Sequence, residues 1–127
     1  MILQATFVNY SYIVLTILCT VYAQLVIRWQ MKSAGALPPG FLSKIMFVFL
    51  QFLNPWIVSV VFASTLAIIS WMAAMTKFEI SYAYPFLSLS FIFVLIFSSF
   101  ILGESLNIYK IAGTILVTLG VMVTFKG

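Results

Sequence analysis

Residues 56–75 read WIVSVVFASTLAIISWMAAM, a run of 20 positions without a charged side chain. The hydrocarbon core of a bilayer takes about 20 apolar residues in helical form, so this run is the length of one crossing. Its small residues, Ser59, Ala63, Ala67, Ser70 and Ala74, recur at steps of three and four. That spacing puts them on one stripe, where a second helix can approach closely. Trp56 and Trp71 stand near its two ends, as interfacial anchors or as pocket walls.

The pattern repeats on either side. A first run, about 8–27, is apolar except for Asn9, small hydroxyls and Gln24, and it ends where Arg28, Gln30 and Lys32 gather. Residues 1–7 hold no Lys or Arg and no small-x-small site follows, so an uncleaved helix is expected rather than a signal peptide. A third run, about 81–102, carries Pro85 one turn inside its start, and a fourth, about 107–125, begins at Asn107, a suitable N-cap. Between the first two runs lies a loop with Gly35, Pro38, Pro39 and Gly40, then FLSKIMFVFLQFL at 41–53, then Asn54-Pro55. The 41–53 piece is too short to cross. It reads either as a helix lying in the interface, with Lys44 and Gln51 on one face, or as a long start to the second span, since proline is tolerated inside membrane helices.

Composition gives the same answer for the whole chain of 127 residues, 65% hydrophobic and 6% charged. A soluble domain carries about 25% charged residues. Four spans use roughly 80 positions, which leaves no room for a soluble domain. The expected fold is an all-α membrane protein, a single four-transmembrane-helix bundle over 1–127 with a short interfacial helix before the second span.

The same inventory removes most catalytic chemistry. Histidine and aspartate are absent and the single cysteine, Cys19, sits inside an apolar run. No metal cluster, disulfide or nucleophile-base pair can be built within one chain from these residues, so no enzyme activity, metal or cofactor is expected. The net charge of +4 comes from basic residues scattered along segment edges; lipid head groups, not nucleic acid, are the matching anionic partner. With the loop after the first span inside, Arg28, Lys32, Lys44 and Lys110 face the cytoplasm against Lys77 and Lys126 outside. Four against two is a small bias, and the orientation stays open.

Polar groups within a bilayer are costly unless they face protein or water, which makes the few present the candidates for function. Thr20, Gln24 and Arg28 recur every four residues and share one face of the first span. A guanidinium near the membrane edge with an amide one turn deeper suits a phosphate oxygen at head-group depth; a snorkelling anchor is the other reading of Arg28. Ser81, Tyr84 and Ser88 share a face of the third span beside Pro85. They line a polar cavity, or else the hydroxyls bond back to their own helix and the tyrosines form a belt. Glu79 and Glu104 lie in turns, so no carboxylate is available mid-membrane; both are expected to serve helix N-termini. Gly113, Val117 and Gly120 share one face of the fourth span, the mark of a helix contact.

Several of these stretches together resemble the drug/metabolite transporter superfamily: Tyr22-Ala23-Gln24-Leu25 late in the first span, SYAYPFLSLSF opening the third, the turn LGESLN at 102–107, and IAGTILVTLG at 111–120. Within it the chain is most similar to the small subunits of the undecaprenyl-phosphate-aminoarabinose flippase. The most specific portion is Ala83 to Phe91. The small multidrug resistance relatives carry a glutamate in the first span; its place here falls near Thr20, which counts against proton-coupled export of cations. Their pocket tyrosine is matched by Tyr84, whereas their tryptophan position is Leu87, and the loop holding 41–53 is longer than in the flippase subunits.

The resemblance implies a small multidrug resistance/EamA-like fold in a bacterial inner membrane, and a flippase subunit for an undecaprenyl-phosphate-linked monosaccharide. Arg28 with Gln24 would hold the phosphate, and Thr20 on the same face would line the substrate site. Tyr84 and Ser88 would meet the sugar, while the polyprenyl tail stays among membrane lipids. Gly113, Val117 and Gly120 would close a homodimer, or a heterodimer with a similar small subunit. A small-cation exporter and a scaffold for a membrane glycosyltransferase are the alternatives.

Overall fold

The computed structural model describes residues 2–127, and the regular structure among them is six helices. Helix α1 (Ile2–Ala34) has 33 residues, roughly 50 Å at 1.5 Å per residue. It runs past the apolar stretch at both ends. Arg28, Gln30 and Lys32 do not stop it because all three are good helix formers. The stop comes at Gly35, whose φ of 89° is a left-handed conformation natural to glycine.

Helix α2 (Phe41–Gln51) follows Gly40 and has no buried residue. The next three N–H groups, of Phe52, Leu53 and Asn54, bond only three residues back, at 3.1, 3.1 and 3.0 Å. Asn54 then turns to extended backbone and caps α3 (Pro55–Met75), its Oδ1 accepting the Trp56 N–H at 2.9 Å. Pro55 takes the first helical position, where a missing N–H costs nothing. The 41–53 piece is therefore a helix of its own and not the start of the second span.

The third apolar run, expected as one helix, is divided into α4 (Ile80–Leu87) and α5 (Ser90–Ile101). Around Ser88 and Leu89 the ladder tightens: Ser88, Leu89, Phe91 and Ile92 donate to Pro85, Phe86, Ser88 and Leu89, three residues back. Two features loosen the α-ladder here. Pro85 lacks the N–H that would reach the Ser81 carbonyl, and the Ser90 hydroxyl donates to the Leu87 carbonyl at 2.6 Å, competing with backbone donors. Gly103 (φ 67°) closes α5. Asn107 caps α6 (Ile108–Thr124) by accepting the Lys110 N–H at 2.9 Å.

The largest interface is the antiparallel pair α1 and α3. Along it Thr16 reaches the Ala67 carbonyl at 3.5 Å, Tyr22 and Ser59 share a hydrogen bond of 2.8 Å, and the rings of Trp29 and Trp56 meet edge to face at 5.0 Å. Gln30 accepts from the Asn54 amide at 2.7 Å at its end. The small residues Ala67, Ser70 and Ala74 are buried here, which is the close approach their spacing anticipates. Helices α4 and α5 lie against α1, and α6 rests on α4 and α5. Ile13, Ile17, Val21, Ala74 and Ala83 form one core cluster, while Ala23, Val26 and Val60 form a second.

Three helical stretches are long and apolar enough to cross a membrane: Gln4–Ala34, Pro55–Met75 and Ile80–Ile101. Helix α6 is also apolar but has 17 residues, about 25 Å. Large side chains such as Phe62 (73% exposed) and Phe100 (83%) point outward. A surface of that kind belongs in an apolar solvent.

Candidate functional site

A groove of about 580 Å³ opens between α1, α5 and α6. Gln24 enters from α1; Ser90, Phe91, Val94, Leu95 and Ser98 line it from α5; Glu104 stands in the following turn; and Tyr109, Lys110, Gly113 and Thr114 complete it from α6. Ser90 to Ser98 spans about 12 Å along the helix axis, so the groove runs from the bundle end into its middle. Its walls mix hydroxyls and one amide with apolar surface. That combination suits an amphiphile better than a bare ion.

Three cations converge on the turn at the mouth. Arg28 Nε donates to Glu104 Oε1 at 2.8 Å, Lys32 Nζ to the Leu102 carbonyl at 3.3 Å, and Lys110 Nζ to the Ser105 carbonyl at 2.7 Å. Carbonyls carry no net charge, so Glu104 is the one carboxylate opposing three positive groups. The Arg28 hydrogen bond, with the charges of Arg28, Lys110 and Lys32 behind it, holds the Glu104 carboxyl below its ordinary pKa. The pair is open to the surroundings, with Arg28 56% and Glu104 31% exposed. Gly103 places Glu104 there: its left-handed turn brings the Glu104 N–H to the Ser98 carbonyl at 3.2 Å.

The residues singled out from sequence separate into three places. Gln24 and Arg28 stand at the groove and its mouth, and Thr20 is half-buried one turn further in, outside the lining set. Tyr84 and Ser88 lie elsewhere: the Tyr84 ring packs edge to face on Trp71 at 6.2 Å, and Ser88 sits in the α4–α5 break. Gly113 lines the groove, Val117 is half-buried and Gly120 is exposed; a Cβ at either glycine would meet nothing within 4 Å.

Sequence reading missed Ser90, Ser98, Tyr109, Lys110 and Thr114, and it assigned Glu104 to a helix N-terminus, whereas its carboxylate bonds Arg28. A signal was present. Ser90 and Ser98 are eight apart, and Lys110, Gly113 and Thr114 follow at three and four, each set on one helix face. Among the described residues no group of three His, Cys, Asp or Glu comes together as metal ligands.

At the opposite end a hollow of about 530 Å³ is lined by Lys77, Phe78, Glu79, Ser81, Tyr82, Thr124 and Gly127. Beside it the rings of Tyr10, Phe78, Tyr82, Phe86 and Phe125 pack together, with Phe86 and Phe125 stacked at 4.2 Å. The two ends thus differ: one is cationic and leads to the groove, the other is tied by aromatic rings.

Comparison with known proteins agrees with this membrane architecture. The chain is 29% identical over 68 residues to the probable 4-amino-4-deoxy-L-arabinose-phosphoundecaprenol flippase subunit ArnE of Pseudomonas fluorescens (strain Pf0-1). That similarity is distant and covers 54% of this chain and 60% of the relative, less than two thirds of its length. No solved structure matches the chain. A match to the EamA-like transporter family extends over residues 2–126. The chain belongs to that transporter family.

Proposed function

We propose that the protein is a flippase subunit that moves a polyprenyl-phosphate-linked monosaccharide, of the undecaprenyl class, across the bacterial inner membrane. The observation carrying this reading is the mouth of the groove, where Arg28, Lys32 and Lys110 gather around one carboxylate. An unbalanced cation cluster at the edge of an apolar bundle is a site for an anion. Arg28 with Gln24 holds the phosphate. Ser90, Ser98 and Thr114, which line the groove where Tyr84 and Ser88 do not, meet the sugar hydroxyls, and the polyprenyl tail stays in lipid.

In this reading α6 is the fourth crossing, α2 lies in the interface, and the open face with Gly113 and Gly120 meets a second small subunit, a like chain or a related one. The substrate in that relative's name, a phosphoundecaprenol-linked sugar, is of the same chemical class. A cation exporter would need a free carboxylate inside the bundle. The carboxylate nearest the groove is already paired with Arg28.

The test is transfer of a polyprenyl-phosphate sugar in vesicles reconstituted with the purified protein, alone and with a candidate partner subunit. Arg28→Ala is expected to insert normally and lose transfer. Full transfer by that variant refutes the phosphate role, and movement in neither preparation favours a scaffold.

A further inference from the structure

We infer that Glu104 is a resident counter-ion of the head-group site, a built-in anion that the phosphodiester of a lipid-linked substrate must displace from Arg28 in order to bind. This rests on the reading of the groove as a phosphate site and adds to it a residue that sets its affinity for the anionic head group.

The geometry carries the argument. Glu104 is at once a wall of the groove and the partner of Arg28. Three cations left without any carboxylate at the edge of a membrane would repel one another and retain whatever anion passed. A carboxylate covalently attached to the turn supplies the missing charge at high local concentration. It is held loosely: a single contact, Nε to Oε1, uses one of the five donors of the guanidinium, and both side chains are substantially exposed. A phosphodiester arriving with two free oxygens can accept two parallel hydrogen bonds from the same guanidinium. It also faces Lys32 and Lys110, whose ammonium groups donate, among the described residues, to the carbonyls of Leu102 and Ser105.

The backbone keeps the competitor in place. The left-handed Gly103 and the bond from the Glu104 N–H to the Ser98 carbonyl fix where the side chain starts, so displacement requires only rotation of the carboxylate away from Arg28. Ligands without a phosphate have nothing to trade for that contact. Neutral prenyl glycosides, which do not compete for Arg28, are therefore neither held back by Glu104 nor helped by its removal.

The experiment measures binding in detergent by calorimetry with two probes, a short-chain prenyl phosphoglycoside and the matching neutral prenyl glycoside. Glu104→Gln, which keeps the size of the side chain and removes its charge, is expected to bind the phosphodiester roughly two- to fivefold more tightly, the range an exposed ion pair supplies, with affinity for the neutral probe unchanged. Unchanged or weaker phosphodiester binding overturns the inference, as does an equal gain for both probes. If Glu104→Gln is not monodisperse, Glu104→Ala, which also removes the charge, is read in the same way. Arg28→Ala separates the two levels. Equal phosphodiester binding by wild type and Arg28→Ala removes the phosphate site itself, whereas loss in Arg28→Ala without a gain in Glu104→Gln removes only the role of Glu104.

Discussion

The phenolic oxygens of Tyr10 and Tyr82 meet at 3.0 Å although 72 residues separate them. Around this contact Phe78 lies 5.0 Å from the Tyr10 ring, and Phe86 reaches both Tyr10 (6.0 Å) and Phe125 (4.2 Å). The cluster joins the first turns of α4 to α1 and to the end of α6. It is the principal link between α6 and the rest of the bundle at that end.

Removing the ring at its centre is therefore expected to be costly. Phe86→Ala should lower stability by about 3 kcal/mol, whereas Tyr82→Phe, which deletes one hydroxyl, should cost about 1 kcal/mol. Thermal unfolding in detergent checks both. Equal effects would mean that the hydrogen bond, and not the ring packing, holds this end.

Asn54 serves two helices at once. Its Oδ1 accepts the Trp56 N–H at 2.9 Å and its amide donates to the buried Gln30 at 2.7 Å. Asn54→Ala should cost about 2 kcal/mol, from the lost cap together with an unpaired buried amide oxygen. Asn54→Asp keeps the cap and should recover about half. Stability of the three proteins, measured side by side, decides it.

The pH dependence of the Arg28–Glu104 contact follows from the lowered pKa of Glu104. A carboxylate whose pKa is depressed on folding contributes stability that is fully present above its unfolded value and is lost as pH falls through the folded value. The stability difference between wild type and Glu104→Gln should therefore be small and flat at neutral pH, and shrink only below the ordinary carboxylate range. Added salt should reduce it as well, since the pair is exposed. Parallel melting curves taken across pH and salt test this, and a difference that grows in acid would contradict it.

Gly113 and Gly120 have open space where a Cβ would be, so leucine at either position should fold, with a gain of helix propensity of up to about 1 kcal/mol. Their effects on function should differ. Gly113→Leu intrudes on the groove and is expected to reduce transfer by itself, whereas Gly120→Leu acts only through the partner-facing surface and should shift the oligomer to smaller size in detergent. Unchanged oligomer size in Gly120→Leu counts against that contact.

Much of the scaffold was legible residue by residue. Small residues at Ala67, Ser70 and Ala74 announced the face that α3 turns to α1, and Asn107 marked the start of α6 by its capping chemistry. The division at Ser88–Leu89 was not legible, because Pro85 lies a full turn before it and the serine back-bond that accompanies it depends on a rotamer. The groove was half legible. Gln24 and Arg28 stood out as polar groups in an apolar helix, but Tyr84 stood out for the same reason and packs on Trp71.

The sequence by itself determined that this chain lives in a membrane, close to where α2, α3, α4 and α6 start, and which residues are too polar to face lipid freely, because those properties follow from composition and local backbone chemistry. Only the tertiary structure decided that Arg28 faces Glu104 across 76 residues and that Ser90, Ser98, Lys110 and Thr114 share a groove with Gln24. The reason is the solvent. In lipid the inward and outward faces of a helix are both apolar, so periodicity does not fix its rotation, and close packing against its neighbours does.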